Sequence, residues 1–348
     1  MRQSVLLAAT LVVLVAATAH AESPLATRVH RYLMGTSITI EVTGGNPASR
    51  AAVIEDAFAA MVEVDRLMSN YRTDSELARV NREAAVHPVA VSPPLWDVLV
   101  AARRVSRDSH GAFDVTVGPL VRLWGFHDKR PHVPTPDELQ RIRGIVGQDQ
   151  LVLNDQAHTV AFRRSGVELD LGGIAKGFAV ELAGGVLRRR GFAGFIDAGG
   201  NQYLVGKPTT RPVWQVGIED PDHPDHLLGV LTVDGGAVAT SGGYHNFFTQ
   251  GGHTYSHLLD PRTLHPSEAA LSVTVVGPDA TLADALSKPA FMLGPEAGLR
   301  LVEASGAQAV IASRGAGGRV LLTMSPGLRA RFVAAPAPRP HAAPAARR

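Results

Sequence analysis

The chain has 348 residues, 45% of them hydrophobic and 19% charged, with no cysteine. That balance builds a packed core and excludes an intrinsically disordered chain. The missing cysteine excludes a disulfide framework, a thiolate-held zinc or iron–sulfur site, and a lipid on an N-terminal cysteine. The pI near 9.1 is a tail property. Five arginines lie in residues 329–348 with no acid among them, a sixth is Arg2, and removing these six from the formal +2 leaves about −4 for the body. With aromatics at 5%, the body lacks the basic, aromatic-studded face that nucleic acid needs, so no nucleic-acid partner is expected.

The first 21 residues have the form of a secretory signal peptide: Arg2, an apolar run at 5–17 broken only by Thr10, then Ala19-His20-Ala21 as a small-x-small cleavage pattern. Thirteen residues fall short of the ~20 that span a bilayer, and no later stretch is long and apolar enough. A periplasmic chain beginning at Glu22, without a membrane anchor, is expected. A strand is predicted over 32–42, alternating around Ile38 and Ile40 and entered through Met34-Gly35-Thr36. A helix follows over 48–67, with Val53, Ala57, Ala60, Met61 and Val64 on one stripe. Ser92-Pro93 starts a second helix through Val105, and Thr135-Pro136 a short one over 138–145. Strands are predicted at 151–153, 159–162 and 167–171, then a helix over 174–190 closed by Gly191. Its Arg188-Arg189-Arg190 run suits a helix C-terminus and needs no ligand.

The second half is richer in strands, at 195–196, 203–205, 213–218, 229–233, 237–240, 255–259, 272–276, 309–311 and 320–322. Helices are predicted at 282–292 and 295–304. Strands and helices mix without a βαβ rhythm, which points to an α+β fold of mixed, largely antiparallel sheets flanked by helices. The functional domain is expected over 22–333, with a disordered Ala/Pro/Arg tail at 334–348.

Familiar motifs are absent. Gly172-Gly173-Ile174-Ala175-Lys176-Gly177 lacks the spacing and hydroxyl of a phosphate-binding P-loop, and neither Gly-x-Ser-x-Gly nor His-Glu-x-x-His occurs. Asp220-Pro-Asp-His-Pro-Asp-His226 has metal-ligand residue types, but its prolines between strands read as a solvated loop. Several other segments are polar or glycine-rich where a plain core would be apolar. Glu168-Leu-Asp-Leu-Gly-Gly-Ile-Ala-Lys-Gly177 puts a carboxylate, a tight backbone and an amine at a strand-to-helix junction, where a helix N-terminus favours phosphate. Asp197-Ala-Gly-Gly-Asn201 and Thr240-Ser-Gly-Gly-Tyr244 are two more close-approach loops. Ser256-His-Leu-Leu-Asp-Pro-Arg262 adds a histidine, a carboxylate and an arginine, and Asp284 stands where a carboxylate caps a helix start or holds a cation.

In this order the segments resemble the ApbE family of FAD:protein FMN transferases. The matching pieces are Met34-Gly-Thr36, Met68-Ser-Asn-Tyr71, Gly111-Ala-Phe-Asp-Val-Thr-Val-Gly-Pro-Leu120, Leu123-Trp-Gly-Phe126, residues 170–177, Gly199-Gly-Asn201, Thr240-Ser-Gly242, residues 257–263 and Ala283-Asp-Ala-Leu286. The resemblance implies an ApbE-like fold and an enzyme that cleaves FAD, attaches FMN by a phosphoester bond to a Thr or Ser of an acceptor flavoprotein, and releases AMP. It implies that Met34, Tyr71, Ala112, Phe113, Asp114, Asp170, Lys176 and Leu259 contact FAD. Lys176 would neutralise pyrophosphate, and His257 would act as general base with Asp284 as the second catalytic residue. A histidine's ordinary pKa of ~6.5 suits that task. The acceptor category it implies is a periplasmic domain of a respiratory membrane complex. The alternatives carried are an FAD pyrophosphatase, with water as nucleophile, and a non-catalytic periplasmic flavin-binding accessory protein.

The sequence departs from the family pattern at two positions. The family holds Mg2+ with a backbone carbonyl, here that of Gly173, and the Asp of an Asp-x-x-x-Thr helix start; this chain reads Asp284-Ala-Leu-Ser-Lys288. An ammonium has three donors and no acceptor, so Lys288 does not ligate a metal. Either it pairs with Asp284 and stands as a fixed charge in place of the ion, or Asp284 and Ser287 hold a metal while Lys288 turns to a phosphate. The second departure is Leu264, where the family carries Gly after Asp-Pro-Arg-Thr, read as a turn change.

Overall fold

In the strand Thr36–Thr43, Ile38, Ile40 and Val42 are buried while the residues between them are not, as a half-buried strand of period two requires. Each such side chain contributes about 1.5–3 kcal/mol on leaving water. The computed structural model describes residues 25–209 and 211–335; the expected leader and the chain from 336 lie outside the described residues. Residues 32–42 form not one strand but the turn of a hairpin between Ala26–Leu33 and Thr36–Thr43, paired Leu33 to Thr36. Met34 and Gly35 both take the left-handed conformation, at φ 53° and 75°, which closes a two-residue turn whose twist matches the strands.

The main sheet has eight strands in the order Ala26–Leu33, Thr36–Thr43, Ala193–Ala198, Asn201–Val205, Gly236–Gly242, Ser272–Gly277, Gln308–Arg314, Val320–Met324. Every strand pair among the described residues is antiparallel, so the sheets are less mixed than the sequence suggests. Helices Pro47–Met68, Ala175–Arg189 and Ala280–Ala304 pack on one face of the sheet, the middle one touching both others. The predicted stripe of the first helix is its buried side, with Ile54 and Phe58 added and Ala60 only partly buried. On the other face a three-stranded sheet of Trp214–Asp220, His223–Val233 and Phe332–Ala334 buries Val216, Leu231 and Val233 against Leu204, Val238 and Val310. Ala334, where the tail was expected to begin, is thus still paired, to Gly229.

A satellite core lies beside the main one. Leu120, Trp124, Leu139, Leu259 and Leu264 are buried together, with Phe126, Phe248 and Tyr255 against them. The short helix Pro136–Ile142 starts there with Thr135 and Glu138 capping one another. Residues 167–171 are not a strand. Val167, Leu169 and Leu171 are buried in alternation, but their backbone pairs with a side chain: Asn81 on the helix Glu76–Glu83 accepts from Leu169 N at 2.8 Å and donates to Leu169 O at 3.0 Å. The 220–226 segment is a tight hairpin rather than a free loop, His223 already pairing with Asp220. Among the described residues no group of three or more His, Asp or Glu is arranged to hold a metal ion.

Candidate active site

The strands Asn201–Val205, Gly236–Gly242 and Ser272–Gly277 bring Asn201, Ser241 and Ser272 to the same end of the sheet. A cleft opens there between the main and satellite cores. One lobe, of about 330 Å³, is lined by Phe113, Asp114, Phe126, Gly173, Asn201, Ser241, His257, Leu259 and Lys288, among others. The second, of about 710 Å³, is lined by Tyr32, Met34, Asn70, Arg72 and Lys129, among others. Tyr71, Asp170, Gly172, Lys176 and Asn246 line both, so the lobes meet at a waist carrying the Lys176 amine. Lys176 Nζ donates to Gly172 O at 3.1 Å, which ties it to the loop that precedes its own helix.

That loop is held on both sides. Asp170 N donates to Val115 O at 2.7 Å, and Asp170 Oδ1 accepts from Gly172 N at 2.7 Å. The following helix meets Ala280–Ala304 at Gly177, where a Cβ would stand 2.3 Å from Ala280 O and 2.5 Å from Asp284 Cβ. Only glycine allows that approach. It lets Gly177 N donate to Asp284 Oδ2 at 2.8 Å, so Asp284 satisfies an orphan N–H at the start of the facing helix, where negative charge is favoured. Its own helix is capped by Asp279, which accepts from Leu282 N at 2.9 Å. Asp284 therefore does not open its helix.

The other Asp284 oxygen is also taken. Lys288 Nζ pairs with Asp284 Oδ1, and donates to Asp284 O at 3.0 Å. Asp284 is 0% exposed and the lysine side chain 17%. Ser287 Oγ donates to Asp284 O at 2.8 Å and shares a hydrogen bond with Ser241 Oγ at 2.8 Å. A Cβ on Gly173 would lie 3.8 Å from Lys288 Cε, so the lysine stem lies against the loop that holds the Gly173 carbonyl.

His257 enters the cleft from the segment after the hairpin Phe247–Gln250/His253–Ser256. Its Nδ1 lies 3.0 Å from Asn246 O, which also accepts from His257 N at 3.0 Å. A carbonyl only accepts, so Nδ1 carries the proton and Nε2 is left as the basic nitrogen. Loss of water lowers the His257 pKa to about 4; the Lys176, Lys288 and His245 charges push the same way and the Asn246 carbonyl opposes them. The ring is neutral at pH 7. The carboxylate and arginine of the same segment brace each other: Arg262 donates through Nε and Nη2 to Asp260 at 2.9 and 2.7 Å.

The sequence profile of the ApbE family matches residues 34–311. This chain belongs to the ApbE family. It is 36% identical over 264 residues to the FAD:protein FMN transferase of Vibrio cholerae, covering 72% of this chain and 78% of that one. It is 34% identical to the FAD:protein FMN transferase of Haemophilus influenzae over 281 residues, 78% of this chain and 81% of the other. The solved flavin transferase ApbE of Vibrio cholerae aligns at TM-score 0.77 and 32% identity, covering 86% of this chain and 98% of that one. The ApbE protein of Thermotoga maritima aligns at TM-score 0.78 and 29% identity, covering 85% and 96%. These ApbE structures share the α+β architecture described above.

Of the residues that the ApbE pattern marks, Tyr71, Ala112, Phe113, Asp114, Asp170, Gly173, Lys176, His257, Leu259 and Lys288 line the first lobe. Met34 lines the second. Asp284 lines neither and lies behind Lys288. Tyr71 is 72% exposed at the rim and stacks on His127, ring centres 4.9 Å apart. Asp114 is buried and caps the turn Val115–Val117 through Thr116 N and Oγ1, both at 2.7 Å. Desolvation raises its pKa, against those two hydrogen bonds.

Two observations fit a flavin dinucleotide here. The lobes have the volumes of cofactor-sized pockets, ~300–1,000 Å³. Asn201 Oδ1 and Asn70 Oδ1, one lining each lobe, are buried without a partner, ready acceptors for a ring N–H or an amine. A divalent cation does not fit. Both Asp284 oxygens and the Ser287 hydroxyl are committed, and the family's threonine position holds an ammonium. Sequence reasoning overlooked His245 and Asn246, whose only signal is that they are polar residues directly after the glycine loop at 240–244.

Proposed function

We propose that this chain is an FAD:protein FMN transferase that binds FAD across both lobes, with the pyrophosphate at the waist. The observation that carries the reading is the Lys176 amine between two lobes, with a neutral imidazole in one of them. A molecule with two ring systems joined by an anionic link matches that layout. In this reading the acceptor hydroxyl oxygen attacks the FMN-side phosphorus, and its proton passes to His257 Nε2. The phosphorus–oxygen bond to the AMP phosphate breaks, and that oxygen leaves with AMP. Lys176 holds the phosphate charge, Asn246 fixes the imidazole tautomer, and Phe113 and Phe126 supply apolar walls.

We place the reaction in the periplasm, reached through the leader at 1–21, with a periplasmic domain of a respiratory membrane complex as the flavoprotein acceptor. No helix among the described residues is long and apolar enough to cross a membrane. The test incubates the purified chain with FAD and an acceptor domain containing a surface threonine. The acceptor is expected to gain the mass of FMN minus water, with one AMP released per FMN attached. Release of FMN and AMP without that gain makes water the nucleophile and the chain a pyrophosphatase. FAD retained with no products makes it an accessory flavin-binding protein.

A further inference from the structure

We propose that the Lys288 ammonium stands in this site where a divalent cation would otherwise stand, so that the chain binds FAD and transfers FMN without metal. The proposal rests on the transferase reading and deepens it. Three features of the geometry carry it. First, the Asp284 carboxylate is 0% exposed, lines neither lobe, and has one oxygen on Lys288 Nζ and the other on Gly177 N at 2.8 Å, so the ammonium stands between it and the cleft. Second, Ser287 is turned to Asp284 O and Ser241 Oγ, each at 2.8 Å, which removes the other arrangement open in the sequence, a metal held by Asp284 and Ser287. Third, the lysine stem lies against Gly173, where a Cβ would be 3.8 Å from Lys288 Cε. The space between the carbonyl loop and the aspartate is filled by this chain.

The substitution changes the charge of the site in a definite way. A divalent ion on one carboxylate leaves +1, whereas an ammonium on one carboxylate leaves zero. Lys288 still lines the lobe that His257 and Asn201 line, and with two N–H groups on Asp284 it has one left to present to a phosphate oxygen, with less net attraction than an ion. Lys176 at the waist, where Asp170 also lines both lobes, is then the second ammonium facing the cleft. The ammonium is covalently part of the fold, so chelators do not remove it. It also acts as a donor, whereas a metal ion acts as a Lewis acid.

The test measures FAD binding by flavin fluorescence and FMN transfer by acceptor mass, each in excess EDTA and in millimolar Mg2+. Mn2+ binding is followed by electron paramagnetic resonance. Wild type is expected to bind FAD and transfer FMN equally in EDTA and in Mg2+, within about twofold, and to show no stoichiometric Mn2+ site. Lys288→Thr is expected to lose FAD affinity in EDTA by at least about tenfold, to recover it with Mg2+, and to gain a Mn2+ site. Wild-type FAD binding that falls tenfold in EDTA and returns with Mg2+, or a stoichiometric wild-type Mn2+ site, overturns the proposal. These wild-type measurements decide it even if Lys288→Thr does not fold. Metal-free FAD binding without acceptor mass gain in either buffer sinks the transferase reading alone and leaves the lysine assignment standing.

Discussion

His257 owes its character to what surrounds it. Its pKa, lowered to about 4 from 6.5, means that between those values the unfolded chain binds a proton that the native ring does not. Stability from this group is therefore fully present above about pH 6.5 and is lost as pH falls toward 4. The same shift keeps Nε2 unprotonated through mildly acidic pH. The acid limb of kcat/KM should then fall near pH 4 to 5, and a limb at 6.5 would show the ring is not desolvated. His257→Gln should lower kcat by about 10²–10⁴ while FAD affinity stays within about threefold, since removing a base acts on the transition state. Loss of FAD binding in that variant would make His257 a binding residue instead.

At the scale of elements, the turn after Asp260 shows how a departure from the family pattern is accommodated. Leu264 takes φ 65°, a left-handed conformation that costs an L-residue ~1–2 kcal/mol. Its side chain is 1% exposed beside Trp124, and Trp124 Nε1 donates to Leu264 O at 3.0 Å. Burial of a leucine, about 1.5–3 kcal/mol, offsets the strain. Leu264→Ala keeps the strain and loses the burial, and should destabilise by ~2–4 kcal/mol. Leu264→Gly loses the burial but relieves the strain, so it should retain about 1 kcal/mol more stability than the alanine variant. Urea melts of the two would reveal the strain by their order, and alanine as the milder change would deny it.

The elements most legible in the sequence are those with local causes. The stripe at 53–64 and the helix start at Thr135-Pro136 need no distant partner. The turn at Met34 was not legible because methionine seldom adopts a left-handed backbone, and the flanking alternation ran through it. Residues 167–171 alternate like a strand, yet their pairing comes from Asn81, 88 residues earlier than Leu169. Asn246 acts through its carbonyl, which every residue possesses, so its side chain announces nothing. The position of Asp284 behind Lys288 was legible only as two open arrangements, because spacing gives helix phase but not which oxygen is already spoken for.

At the scale of the molecule, the cleft is walled by residues drawn from the segments 112–114, 170–176, 240–246 and 257–261, and by Lys288. They meet only when the eight-stranded sheet and both cores are in place. A ligand held by such a dispersed set binds the native chain and has no comparable site on the unfolded one. FAD at ~100 times its Kd should therefore raise the unfolding free energy by about 2.7 kcal/mol, read as a rise of several degrees in Tm. AMP at the same concentration, occupying one lobe and so binding more weakly, should give less. Equal shifts from both would mean that the lobes do not bind as one site. Where dinucleotide is scarce the chain forgoes that increment, so a protease that cuts only the unfolded state is expected to degrade the FAD-free chain faster than the FAD-bound one.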